Sequence, residues 1–233
     1  MFNTIKEYGG DFYRLFFPRV CGGCNESLAR GEEYLCLNCR LELPMTKFEM
    51  IKENPVEKIF YGRLALHYAS SFLFFSKGGR VQQILHHIKY NNKQDLAVFM
   101  GSLFGSRIQQ SEFFHPIDHI IPVPLHPRKM AIRGYNQSEL FGRGISGVLE
   151  VPMLNQTLLR TVNTSTQTRK SRIERWENVE DVFEVKQPGR LDDKHILLVD
   201  DVLTTGATIE ACAQTLLNAA GCRVSVATLA YAP

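Results

Sequence analysis

From Asp118 onward, apolar and polar positions alternate between a strand period and a helix period. His119–Leu125 is an apolar run rich in Ile and Val and interrupted by prolines. Asn136 followed by Glu139 has the form of a capping box, and Phe141, Ile145, Val148 and Leu149 continue that helix. Met153–Leu159 predicts a second strand and His195–Val199 a third. Ile209, Cys212, Ala213, Leu216, Leu217 and Ala220 form a helical stripe stopped by Gly221, and Arg223–Tyr231 predicts the last strand. Such alternation predicts an α/β fold with a parallel sheet flanked by helices, whose ligands sit at the carboxyl ends of the strands.

The first half is patterned differently. Phe2, Ile5, Phe12, Leu15 and Phe16 share one helical face, and Glu7 and Asp11 break the apolar run that a signal peptide would need. Leu41 to Pro55 is polar and charged and reads as a linker. Gly62 to Phe75 is apolar and aromatic, suiting strands and a turn, and helical spacing follows at Val81, Ile84, Leu85, Ile88 and again at Leu96, Phe99, Leu103, Phe104. These shifts divide the chain into residues 1–55, a helix with a cysteine module and linker, and residues 56–233, the α/β domain. No apolar run approaches the ~18 residues of a membrane span. The expected location is therefore the cytoplasm, where thiols stay reduced.

Net charge is only +3, but its distribution is uneven. Between Pro124 and Glu177 nine Arg and Lys stand against four Glu, so this stretch is positive and the remainder is slightly negative. A local basic region on a near-neutral chain suggests an anionic ligand.

Cys21-Gly-Gly-Cys24 and Cys36-Leu-Asn-Cys39 are two CxxC knuckles with eleven residues between them. Each pair can supply one edge of a tetrahedral Zn²⁺ site. Two disulfides, a redox CxxC and an iron–sulfur cluster are the alternatives; reduced thiols disfavour the first, and the second lacks a thioredoxin-like context. A zinc-ribbon-like module this short would draw its folding energy from the metal.

The segment from His195 to Thr208 is the most informative. An apolar strand runs into Asp200 and Asp201, then a loop of small residues, then an amphipathic helix. Thr204, Thr205, Gly206, Ala207 and Thr208 can turn backbone N–H groups and hydroxyls toward a phosphate at the helix start. Paired acids beside a phosphate pocket would repel it unless they address ribose hydroxyls or Mg²⁺. A sugar with a 5-phosphate and a vicinal diol fits that layout.

Four apolar residues, two acids, two variable residues and Thr-Thr-Gly resemble the binding motif of type I phosphoribosyltransferases for phosphoribosyl diphosphate (PRPP). That resemblance implies a diphosphate loop after the first core strand, here Pro122–Gln137 with Arg128, Lys129 and Arg133, and a mobile loop, here Asn163–Glu177. The order and spacing of the cysteine pairs, of Leu85-His86-His87-Ile88-Lys89-Tyr90, of Pro122–Gln137, of Gln167 with Arg175 and Asn178, and of Asp200–Thr208 resemble the ComF family, linked to natural competence. The resemblance implies that PRPP binds with Mg²⁺ and adds Lys89 as a ligand contact. It also implies DNA-uptake proteins as partners and single-stranded DNA on the basic loops. The alternative is an active phosphoribosyltransferase of nucleotide-related metabolism, whose acceptor the segment Gly62–Lys93 does not reveal. No cysteine stands at position 2, so a glutaminase is not implied.

Overall fold

The structure, a computed structural model, describes residues 18–161 and 182–233. The apolar helical face at Phe2–Phe16 and the mobile-loop position Asn163–Glu177 lie outside the described residues.

The strands are β1 (Tyr68–Phe74), β2 (His119–Pro122), β3 (Leu158–Thr161), β4 (Val182–Val185), β5 (His195–Leu203) and β6 (Arg223–Tyr231). The α-helices are α1 (Leu37–Leu41), α2 (Pro55–Lys58), α3 (Arg80–Tyr90), α4 (Gln94–Ile108), α5 (Pro127–Arg133), α6 (Gln137–Leu149) and α7 (Ala207–Ala220). Four strands form a parallel sheet in the order β1-β6-β5-β2. Burial on both faces is why β5 and β6 read as near-continuous apolar runs rather than as alternation. Period-two pleating sends Ile120 and Leu197 to one face and Ile121, Ile196 and Leu198 to the other. The first face packs against Ile84, Met100, Phe104 and Phe141 from α3, α4 and α6; the second packs against Ile209, Cys212 and Leu216 of α7. The α/β class and the parallel sheet are as the alternating pattern predicts.

Several local expectations give way. Gly62–Phe75 yields one strand, β1, preceded by turns. Met153–Leu159 is not a strand of the parallel sheet. Met153 makes a single bridge to Ile120, the polar Asn155-Gln156-Thr157 turns the chain away, and only then does β3 begin, antiparallel to β4 in a separate pair. Leu41 to Pro55 is not a linker. Thr46, Glu49 and Asn54 are buried because each has a partner. The Thr46 N–H donates to Phe72 O at 3.0 Å, Glu49 pairs with Arg107, and Asn54 Nδ2 donates to Ala69 O at 2.9 Å. Asn54 also caps α2 in a reciprocal capping box with Glu57. Polar composition concealed a segment whose buried polar residues find partners on β1 and α4, with Glu49 Oε2 alone among these side-chain atoms left without one.

Helices α4 and α6 cross at glycines. A Cβ on Gly101 would stand 2.0 Å from the Phe141 carbonyl oxygen, and one on Gly144 would stand 2.0 Å from that of Val98. This backbone-to-backbone approach seats α6 against the sheet, with its amino terminus at the end of β2.

Candidate functional site

The strand β5 runs through both acids before it ends at Leu203. Neither is a free surface carboxylate: both are half-buried. Asp200 Oδ1 accepts from Ser138 Oγ at 2.8 Å and from the Asp201 N–H at 2.8 Å. Ser138 is held in turn by Asn136, the N-cap of α6. Asn136 Oδ1 accepts from the Ser138 N–H at 3.1 Å, and its Nδ2 donates to Val123 O at 2.9 Å. The expected capping box is not completed, because Glu139 turns instead to Arg143 and Asn155. Burial pushes the Asp200 carboxyl up to about 7, and the negative charge of Asp201 adds to this; Ser138, the Asp201 N–H and Lys89 oppose it. The site therefore holds two close carboxyls in a partly dehydrated setting, which favours a cation between or beside them.

Asp201 Oδ2 already has such a neighbour in Lys89 Nζ at 2.7 Å, with both side chains largely covered. Lys89 projects from the last turn of α3 into a cleft of about 510 Å³ lined also by Tyr90, Asn92, Lys129, Ile132, Arg133 and Tyr135. Arg133 lies over the Tyr90 ring at 5.7 Å and donates to Gln137 Oε1. Tyr135 Oη donates to Ile88 O at 2.5 Å, tying the α5–α6 turn to α3. That turn depends on Gly134, whose φ of +79° ends α5 in the left-handed region.

The structure thus brings Lys89, Lys129 and Arg133 to one cleft, and of the three Lys89 contacts Asp201. It does not bring Arg128 there: Arg128 is exposed, and its backbone N–H bonds His126 Nδ1. Arg143 faces Glu139 instead. The expected diphosphate loop is partly a short helix, α5, with no buried residue. Thr204–Thr208 follows β5 outside the cleft. Thr204, Thr205 and Ala207 are exposed, and Thr208 is half-buried. Gly206 is buried at φ +81°, and a Cβ there would stand 3.0 Å from Ile59 and Phe60. Gly206, the N-cap of α7, has no side chain to cap it, and the Ala207 N–H makes only a long bond of 3.5 Å to Thr205 Oγ1, so donors at this helix start remain for an anion. Sequence reasoning missed Ser138, Tyr90 and Tyr135. Ser138 stands 62 positions from Asp200 and carried no signal, whereas Tyr90 and Tyr135 lie within the segments that carry the ComF resemblance.

The cysteines form a second centre. All four Sγ atoms lie within 4.8 Å of one another, and Cys24 and Cys36 are 3.8 Å apart. A tetrahedral ion with Zn–S bonds of about 2.3 Å would space its sulfurs roughly 3.8 Å apart. Backbone N–H groups of Gly23 and Cys36 donate to Cys21 Sγ at 3.3 and 3.2 Å. Burial opposes ionisation of Cys21, yet these donors bring it down to about 7, while burial and neighbouring sulfurs push Cys39 up. All six cysteines are free thiols, so the two-disulfide alternative is not seen. The donor set and spacing fit a tetrahedral metal ion. The cluster is not set apart: Cys21, Leu35, Cys39 and Leu43 belong to the same core as Ile88 and Leu96.

A model of the phosphoribosyl transferase domain matches residues 138–233. The DNA utilization protein YhgH of Escherichia coli O6:H1 is 30% identical over 215 residues, which cover 89% of this chain and 88% of that protein. YhgH of Salmonella typhimurium is 30% identical over 61% of this chain, and the match spans 63% of that relative's length. Competence protein ComFC of Bacillus subtilis is 23% identical over 86% of this chain and 78% of that protein.

Proposed function

The chain belongs to the ComF family of competence and DNA-utilization proteins, and from that premise we propose that it binds PRPP with Mg²⁺ and acts in DNA uptake. The observation that carries this reading is the Lys89–Asp201 contact, because it joins an acid pair to a basic cleft within one site. Asp200 and Asp201 would hold Mg²⁺ and the ribose hydroxyls. The Thr204–Thr208 loop and the start of α7 would take the 5-phosphate, with Gly206 supplying the left-handed turn against Ile59 and Phe60. Lys89, Lys129 and Arg133 would take the diphosphate, and Arg128 would reach an extended ligand from outside the cleft. Mg²⁺, when bound, neutralises charge that the acids alone would repel. Zn²⁺ at Cys21, Cys24, Cys36 and Cys39 would be structural.

Single-stranded DNA repeats the phosphate–sugar layout of PRPP, and the α5 face offers exposed cations beside Tyr90 for backbone and base. Protein partners would come from the uptake apparatus. Among the described residues no helix is long and apolar enough to cross a membrane, and we place the protein in the cytoplasm.

Calorimetric titration of PRPP with and without Mg²⁺, on wild type and Asp201→Asn, tests the ligand. Mg²⁺-dependent binding lost in the variant is expected; binding unchanged by the substitution would sink the assignment. Anisotropy with single-stranded DNA tests the partner. Affinity should fall with salt at a slope of about −0.7 per phosphate neutralised, flatten in the Arg128, Lys129, Arg133 triple alanine variant, and be competed by PRPP. Salt-insensitive binding removes the basic face as the DNA site. Diphosphate release from PRPP in the presence of nucleobases would instead support the phosphoribosyltransferase alternative.

A further inference from the structure

Helix α3 has the site on one side and the cysteine knuckle on the other. At about 100° per residue, His87 and Lys89 point roughly 200° apart, so one reaches the knuckle while the other reaches β5. His87 Nε2 lies 2.6 Å from Asn25 Oδ1, and His87 Nδ1 lies 2.9 Å from Asn91 Nδ2. With an amide oxygen on one ring nitrogen and an amide NH₂ on the other, the imidazole is neutral and protonated on Nε2. It is 7% exposed. Asn25 directly follows Cys24 at φ +63°, and its N–H donates to Cys21 O at 3.0 Å. It is therefore part of the knuckle's own turn. The packing around it is tight: a Cβ on Gly22 would stand 2.6 Å from Leu96 of α4, and the Tyr34 and Phe99 rings lie 5.1 Å apart.

We infer that Asn25 and His87 form a strut through which the cysteine knuckle positions Lys89 on Asp201, so that metal occupancy at the knuckle and ligand binding at the acid pair are coupled. The knuckle's turn fixes Asn25, Asn25 fixes the His87 ring, and the ring fixes the rotation of α3's last turn. Lys89 lies two residues further on, where Tyr135 also grips Ile88 O. His87 and Asn25 are positioning residues; neither touches the cleft's cations or the acids. The role of Lys89 as a ligand contact rests on the proposed function, but its position on Asp201 does not.

Asn25→Gly is the first test, because glycine tolerates the positive φ and removes the side chain that accepts from His87. His87→Ala removes the other half of the strut. The first readout needs no ligand. The Cε carbon resonance of Lys89 reports its ion pair, and it should move in Asn25→Gly toward its position in Asp201→Asn. An unmoved resonance in a variant that retains one metal ion per chain overturns the strut. The second readout is PRPP affinity with Mg²⁺, expected to fall about tenfold in either variant while metal content is unchanged. In a Lys89→Ala background the same substitutions should have no further effect. An equal loss there would mean general loosening and would also overturn the strut. Failure of wild type to bind PRPP, with the resonance still shifted by Asn25→Gly, would count against the proposed function and leave the strut standing.

Discussion

Lys89 Nζ and Asp201 Oδ2 lie 2.7 Å apart, and each is the other's charged partner at the join between the acid pair and the basic cleft. The ammonium occupies space that a divalent cation on Asp201 would also seek. Lys89→Ala is therefore expected to split two affinities that usually move together. Mg²⁺ alone should bind several-fold more tightly, since no intramolecular cation competes. PRPP with Mg²⁺ should bind about tenfold more weakly, since the charge-assisted contact proposed for Lys89 and its phosphates would be gone. Paired calorimetric titrations check both signs.

The cysteine cluster shares its core with α3 and α4, which changes what metal loss should do. A detached module would unfold alone and leave the α/β domain largely intact. Here the knuckle covers Leu96, so Cys24→Ala or a strong chelator is expected to lower the melting temperature of the chain as one cooperative transition. Elemental analysis should find one zinc per chain before treatment. Two separate calorimetric transitions after metal removal would show that the shared core does not couple the parts.

Glycines on the same helix should respond with opposite signs. Gly144→Ala drives a methyl group against the Val98 carbonyl, where a Cβ has only 2.0 Å. It should cost about 3 kcal/mol, because backbone cannot yield as a side chain can. Gly147, also on α6, is exposed and has nothing within 4 Å of its added Cβ. Gly147→Ala should stabilise the helix by up to about 1 kcal/mol. Urea unfolding of the two variants decides the matter, and similar effects from both would mean that the α4–α6 crossing is less tight than described.

His195 opens β5 with its ring fully buried, its Nδ1–H donating to Pro116 O and its Nε2 2.8 Å from Ser225 Oγ. Burial brings its pKa down from 6.5 to about 4; Pro116 and Asp118 oppose this, and the charges of His67 and Arg223 reinforce it. The native state thus favours the neutral ring. Its contribution is intact above the unfolded value of 6.5 and is lost as pH falls toward about 4. The loss should reach roughly 3 kcal/mol. His67, stacked edge-on 4.6 Å away and also shifted down by burial, adds in the same direction. His195→Gln should flatten the fall in unfolding free energy over this window, as measured by denaturant titration at stepped pH.

What the sequence determined by itself was the class of fold and the family. Strand and helix periods specified the parallel sheet because β5, β6 and α7 are held by apolar burial, and burial writes directly into residue type. The meeting of the four cysteines was equally legible in their paired spacing, and the Asp-Asp-x-x-Thr-Thr-Gly run marked the family. What only the tertiary structure decided was which groups meet. Lys89 reaches Asp201 across 112 positions of chain, and no local pattern encodes such a pairing. Ser138 and Tyr135 join the site through the seating of α6, which depends on the close approach at Gly101 and Gly144. Residues 41–55 looked like a linker because their buried polar groups resemble exposed ones in composition; only their partners on β1 and α4 distinguish the two. Long-range hydrogen bonds satisfy polar groups without changing which residues are written, so sequence period is blind to them.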